Sequence, residues 1–328
     1  VYVSDNGNNR IRKLTLCGLT ITTQPSTTIQ SGCSGFSATT LSVSATSLCS
    51  GLTYQWYSNT TNSNSGGTSL SGATSSSYTP VTTSGGTLYY YCVFNDGTGA
   101  SAVTSAVSGP VTVNTAPTIT CTGNQSANTV AGSCTATVSY SAPTITGSPA
   151  PTVTYSFSGA TTGSGSGTGS GSTFNKGITT VTLTATNTCG TATCTFSVTV
   201  TDNINPTITA PATVNATTNT ACTATGVSLG TPSTADNCSV ASVTNDAPSA
   251  FPLGNTIVTW TVTDGSANTA TATQTVTVTD NVNPTITAPA DVNATTNTAC
   301  TATGVSLGTP ATADNCSVAS VTNDAPSA

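Results

Sequence analysis

The chain has 328 residues, a net charge of −6 and only 4% charged residues, with no His, no Met and no Glu. The absence of a basic patch argues against nucleic acid or anionic membrane as partners. Without His or Glu the usual nucleophile–base pairs cannot be assembled, so the composition argues against an enzyme.

Twelve cysteines point to an oxidising compartment. They include no Cys-x-x-Cys spacing, which with His absent argues against zinc. Thr makes up about a quarter of the chain and mostly alternates with Val, Ile, Ala or Leu. A β-branched polar residue in period two predicts strands of two-layer sheets with one wet face.

Residues 1–16 predict a hairpin: Val1-Tyr2-Val3, a turn on Asp5-Asn6-Gly7-Asn8-Asn9, then a strand from Arg10 to Leu16. The run DNGNNRIRK resembles the end of an NHL-type β-propeller repeat, which implies a propeller ahead of this segment; an ordinary hairpin or interdomain strand is the alternative.

Residues 17–114 form the next unit. Tyr54-Gln55-Trp56-Tyr57 reads as a strand carrying a core Trp, and Gly86-Thr87-Leu88-Tyr89-Tyr90-Tyr91-Cys92 reads as a corner tied down by Tyr90. The unit resembles a bacterial immunoglobulin-like domain of large Bacteroidetes surface proteins. In such a sandwich Cys33 falls near the start of the Cys92 strand, and Cys17 and Cys49 fall at the other end, so Cys33–Cys92 and Cys17–Cys49 are the expected bridges. The tyrosines are weighed as core and cross-strand packing, with a sugar-binding face as the alternative.

Residues 115–202 contain the Gly/Ser/Thr-rich stretch 159–172, which predicts a flexible loop inside this unit. Residues 203–250 then recur at 281–328 with three differences in 48 positions: Ile204 against Val282, Thr213 against Asp291, and Ser233 against Ala311. The constant offset of 78 residues is the size of a small β-sandwich, so the unit is a tandem domain, and about four fit the chain. The strands predicted at 258–262 and 275–279 have no counterpart after the second copy. A sandwich without its last strands exposes core and sheet edges. A piece of a longer polypeptide is therefore expected, or completion by another chain, with export or anchoring signals lying elsewhere.

Units 115–202, 203–280 and 281–328 carry Asn205-Pro206-Thr207-Ile208-Thr209-Ala210-Pro211, Ala235-Asp236-Asn237-Cys238 and Val262-Thr263-Asp264-Gly265-Ser266-Ala267-Asn268 or their relatives. These motifs resemble hyalin-repeat (HYR) domains, immunoglobulin-like sandwiches of extracellular and adhesive proteins. The expected fold is all-β: tandem immunoglobulin-like sandwiches arranged as a rod or fibre. Aligning the units puts Cys121 and Cys194 opposite Ala210 and Ala272, so the two are lost together and read as partners, leaving Cys134–Cys189. In the later repeats Cys222–Cys238 and Cys300–Cys316 are the local pairs, each closing a loop of about 15 residues worth about 3 kcal/mol.

The joint Asp202-Asn203-x-Asn205-Pro206 resembles a cadherin-type linker, which implies calcium held by Asp202, Asn203 and Asn205 with Asp236 and Asp264 from other loops, and by Asp280 at the second joint. Turn capping is the alternative use of these Asp and Asn side chains. The resemblances together imply a disulfide-stapled spacer of a secreted surface filament or adhesin, exported by the type IX route. Implied partners are further copies of itself, a cell-envelope anchor and surface glycans. A glycan- or cell-binding module and a strand-exchanging fibre subunit are the alternatives.

Overall fold

The computed structural model describes residues 2–5, 10–13, 18–48, 51–97 and 102–326, the first two segments as backbone only. Among the described residues every regular element is a strand, and no helix is long and apolar enough to cross a membrane. Tyr2–Asp5 pairs antiparallel with Arg10–Lys13, Tyr2 opposite Lys13. The chain divides into two compact units, one of residues 1–126 and 137–199, the other of 127–136 and 200–328.

In the first unit, Gly86–Asn95 pairs with Thr53–Asn59, placing Cys92 opposite Trp56. Leu41, Val43, Trp56, Tyr90, Cys92, Phe94 and Val111 pack into one buried cluster, with Ile21 and Tyr78 against it. Trp56 donates its indole N–H to the Ser75 carbonyl at 2.9 Å, so the ring is buried without an orphaned donor. Tyr90 is a core ring, 5.5 Å from Tyr78, and burial, followed by the nearby Tyr78, pushes its phenol up to about 12. The hydroxyl that ties a turn is that of Tyr91, which accepts the Gly67 N–H at 3.0 Å.

Strand Val111–Thr120 continues without a break across the expected boundary at 114/115. Its first half pairs with Gly86–Asn95 and, in parallel, with Gln30–Cys33; its second half pairs with Thr144–Ser148. Beyond it lies a five-stranded sheet ordered Gln125–Asn128, Gly190–Thr201, Gly177–Asn187, Thr152–Gly159 and Gly163–Ser166. The last of these corrects the expected flexible loop: Tyr155 lies opposite Gly165 in a regular antiparallel edge. Glycine is required here because the Tyr155 and Phe157 rings take the space a Cβ would fill. A Cβ at Gly165 would sit 2.9 Å from Tyr155, and one at Gly169 would sit 2.6 Å from Phe157.

The second unit holds a four-stranded sheet ordered Val214–Thr217, Thr269–Thr279, Gly254–Asp264 and Val240–Asn245. In Gly254–Asp264 the period-two pattern works as the composition predicts: Val258, Trp260, Val262 and Asp264 are buried while the Thr residues between them face outward. Val258, Trp260, Val276 and Val278 meet Phe251 and Ala224 in a core that also takes Ile208 and Leu229. Burying each Val stabilises by about 1.5–3 kcal/mol at most. Gln274, 2% exposed, accepts the Trp260 indole N–H at 3.0 Å and donates to the carbonyls of Ala212 and Leu229 at 2.8 Å. Its amide is therefore fully engaged inside the core.

Candidate functional site

The two joints, 202–206 and 280–284, are the places where side chains of separate segments converge. Gly190–Thr201 runs directly into Asp202. The Thr129 N–H donates to the Thr201 carbonyl at 2.9 Å, holding loop 129–134 beside the joint. At the next joint Thr218 N–H donates to Thr279 at 3.0 Å and holds loop 218–222 in the same way. On the far side, Thr207–Thr209 pairs with Ser233–Ala235, which delivers the turn 236–238. Asp236 Oδ2 accepts the N–H groups of Cys238 and Ser239, both at 2.9 Å, the usual way an Asp fixes a turn.

Loop and turn then interlock. Asn237 donates its side-chain amide to Thr129 Oγ1 and to the Ser133 carbonyl, each at 3.2 Å, and Cys238 is bonded to Cys134 with Cα atoms 4.6 Å apart. The second joint repeats every part. Asn315 donates to Thr218 Oγ1 at 3.0 Å and to the Ala221 carbonyl at 3.2 Å, and Cys316 is bonded to Cys222 with Cα atoms 4.5 Å apart.

Buried beneath the first joint is Asp202, 4% exposed. Its carboxylate accepts from Thr129 Oγ1 at 3.1 Å, the Ile204 N–H at 3.2 Å and Ser266 Oγ at 3.2 Å. Burial alone would raise its pKa, but these hydrogen bonds, with one from Asn237, outweigh it and hold the carboxyl below its ordinary value. Asp280 is lowered too, first by the Val282 N–H. Asp264 is engaged within its own turn, accepting the N–H groups of Ser266 and Asn268 at 2.8 Å and the Asn268 amide at 2.7 Å. Asn268 reaches back to the carbonyls of Asp202 and Ile204 at 3.3 Å.

Of the residues expected to hold calcium, the structure brings together Asp202 and Asp236; one carboxylate oxygen of each lies within 4.8 Å of the other and of Cys238 Sγ. Cys238 is in a disulfide and offers no thiolate. Asn203 and Asn205 are exposed, Asp264 faces its own turn, and Asp280 belongs to the second joint. Asp236 Oδ1 and Asn237 Oδ1 are buried without a hydrogen-bond partner, and Asp314 Oδ1 and Asn315 Oδ1 repeat this. Each joint thus leaves two hard oxygen acceptors, one from an Asp and one from an Asn, unsatisfied.

The cysteine pairing differs from expectation in a regular way. Cys121 and Cys194 are joined. Cys33 is bonded to Cys189, not Cys92: the Gln30–Cys33 strand runs parallel to Val111–Thr120 and ends beside the turn at 187–190. Cys92 instead points into the Trp56 cluster as a free thiol. Cys134 pairs with Cys238 rather than Cys189, and Cys222 with Cys316 rather than Cys238. The local Cys222–Cys238 pair fails because the two lie at opposite poles of one repeat, Cys222 by the end of its last strand and Cys238 by its first. Cys300, expected to pair with Cys316, is free and exposed. The Cys17–Cys49 pair lies outside the described residues. Sequence reasoning missed the rule, yet the count contained it: three cysteines follow the Thr of a leading loop, and only two Asp-Asn-Cys turns exist to receive them.

The aromatic rings weighed as a sugar-binding face are engaged in packing. Trp56, Tyr90 and Tyr91 are buried, and Tyr57 stacks on Tyr91 at 5.2 Å.

Residues 201–278 match the HYR domain. No curated protein is similar in sequence. Among solved structures, the chain is similar to Sidekick-1 immunoglobulin domains 1–5 at 15% identity and TM-score 0.31, covering 85% of this chain and 66% of that one. It is also similar to Drosophila OTK extracellular domains 3–5, at 14% identity and TM-score 0.29, covering 80% and 97% of the two chains. For the titin fragment I67–I69 the identity is 11% and the TM-score 0.37, covering 80% and 98%. Among the described residues the chain is all-β with four disulfides, and the HYR match lies within its second unit.

Proposed function

We propose that this chain is a spacer section of a secreted bacterial surface filament or adhesin of the Bacteroidetes type, exported by the type IX route. Its repeats bear load through bonds that cross their joints. The observation that carries this reading is the repeated staple: Cys134–Cys238 and Cys222–Cys316 each tie one repeat to the next. Under tension the covalent path from Cys134 to Cys316 runs through the stretch 222–238 alone and bypasses the rest of both loops. The NHL-like wording at 1–16 supports a propeller as the element presented ahead of the spacer.

Single-molecule stretching tests this. Oxidised chains should gain length between residues 134 and 316 only from 222–238, and reduced chains should release the whole segment at about 3.5 Å per residue. Equal contour gains in both conditions would remove the load-bearing role.

Calcium would stiffen the same joints. Asp202, Asp236 and Asn237 would hold it at the first, and Asp280, Asp314 and Asn315 at the second, where it would place positive charge between neighbouring carboxylates. The expected result is a higher melting temperature in calcium than in chelator, lost in Asp236→Ala/Asp314→Ala; equal melting temperatures would dismiss it.

A second reading, a subunit completed by strands from a neighbouring chain, is favoured by the exposure of Ile286, Leu307 and Val321 along one cleft. The counterparts of Ile286 and Leu307, Ile208 and Leu229, pack on the cluster of Phe251, Trp260 and Val276 in the preceding repeat, whereas Val243, the counterpart of Val321, is exposed there too. Sedimentation would show concentration-dependent polymers if it holds and a monomer if it does not.

A further inference from the structure

Loop 296–300 is the third copy of a device whose first two copies are both engaged. Thr129, Ser133 and Cys134 receive Asn237 and Cys238; Thr218, Ala221 and Cys222 receive Asn315 and Cys316. Among the described residues no Asn or Cys is bonded to the corresponding Thr296, Ala299 and Cys300, and Cys300 is an exposed thiol.

The loop shares the frame of its engaged counterpart on either side of the cysteine. Asn297 N–H donates to the Thr301 carbonyl at 2.9 Å, as Asn219 does to Thr223 at 2.9 Å. Asn297 also clamps Thr303, with its Nδ2 donating to the Thr303 carbonyl at 3.0 Å and its Oδ1 accepting the Thr303 N–H at 2.9 Å; Asn219 holds Thr225 by the same two bonds, both at 2.9 Å. Ala299 has a left-handed φ of 43°, close to the 48° of Ala221, while Cys300 is itself left-handed at 64° and its bonded counterpart Cys222 is not. A left-handed φ is strained for a residue with a Cβ, so the frame around Thr296 and Ala299 stands before anything docks, and the backbone at Cys300 turns over when the bond forms.

We propose that loop 296–300 is a receiving face for the Asp-Asn-Cys turn of a further tandem repeat on the same polypeptide, closed by a disulfide to Cys300. The two existing staples reach forward by 104 and 94 residues. The near-identity of the repeats sets the second spacing for this one. The Asn of the incoming turn would donate to Thr296 Oγ1 and the Ala299 carbonyl. The bond forms as Cys300 and the incoming cysteine lose two protons and two electrons to a low-molecular-weight or protein disulfide, which leaves as two thiols.

The test extends the full chain after residue 328 with a second copy of residues 251–328 and maps disulfides without reduction. The expected map joins Cys300 to the appended Asp-Asn-Cys turn. Alkylation at Cys300 should fall from near complete in the 328-residue chain to below about a tenth, while the appended counterpart of Cys300 becomes the exposed thiol. Continued alkylation of Cys300, a bond to any other cysteine, or a bond between two chains would overturn it. Cys222→Ser in the 328-residue chain gives a second readout. With Cys316 released, both Cys300 and Cys316 should remain alkylatable, because the leading and trailing cysteines of one repeat sit at opposite poles. A Cys300–Cys316 bond would show that Cys300 is not reserved for a following repeat.

Discussion

Asn315 donates its side-chain amide to Thr218 Oγ1 at 3.0 Å across 97 residues of chain, and Asn237 makes the same bond to Thr129 at 3.2 Å across 108. Two segments far apart in sequence are thus keyed by one amide before any sulfur is counted. Because the same side chain also caps a loop carbonyl, its loss leaves two acceptors without a donor.

Asn237→Ala should therefore destabilise the second unit by about 1–3 kcal/mol with all disulfides intact. Asn315→Ala should lose less, since the 281–328 segment carries little buried surface around it. Denaturant titration under non-reducing conditions reads both, and an unchanged midpoint for Asn237→Ala would remove the keying role. The Asn237 effect should shrink once Cys134–Cys238 is reduced, because amide and disulfide brace the same contact.

Cys92 is expected to be inert while the protein is folded. Burial pushes its thiol up to about 11, and it has no exposed surface, so little thiolate is present or reachable at pH 8. Iodoacetamide should modify Cys300 in the native protein and reach Cys92 only in denaturant. Mass spectrometry of the two peptides decides it, and rapid native labelling of Cys92 would contradict its place beside Trp56.

Acid should loosen the joint at Asp202. Its folded pKa lies below the unfolded value of about 3.9. The stability it contributes is complete above that unfolded value and is lost as pH falls through the lower, folded one. The melting temperature should hold steady from about pH 5 to 8 and drop below about pH 4. Asp202→Asn should be less stable at pH 7 and show a shallower acid limb; an identical acid limb would mean that other carboxylates set the transition.

Gly169 and Gly167 separate two uses of glycine within one segment. Both have left-handed φ, 76° and 83°, but a Cβ on Gly169 would meet Phe157 at 2.6 Å while one on Gly167 would meet nothing within 4 Å. Gly167→Ala should cost about 1–2 kcal/mol from backbone strain alone. Gly169→Ala should cost about 1–3 kcal/mol more, because the ring must move. Equal losses in thermal melts would show that the ring yields freely.

The strands were legible wherever burial alternates. Val258, Trp260 and Val262 declare their face by period alone, and Trp56 declares the core of the first domain. The cysteines were not legible as nearest neighbours in sequence, because nearness in space follows the poles of a repeat. Cys222 sits by the last strand of its repeat, so the closest sulfur belongs to the next one. Composition likewise misread residues 159–172. Gly and Ser there serve to seat Tyr155 and Phe157, and a run of small residues does not reveal which rings lie across from it. At the joints the Asp and Asn positions were visible, but their partners Thr129 and Thr218 were not. A threonine that holds an amide looks like any other in a chain this rich in Thr.

The disulfide loops 33–189, 121–194, 134–238 and 222–316 overlap end to end. Wherever a protease cuts the backbone once between residues 33 and 316, at least one of these bonds spans the nick, and the two halves stay on one molecule. A chain exposed to the enzymes of a crowded extracellular medium would accumulate such wounds without breaking. Gels run without reductant should show nicked protein migrating as one species and falling into fragments only after reduction.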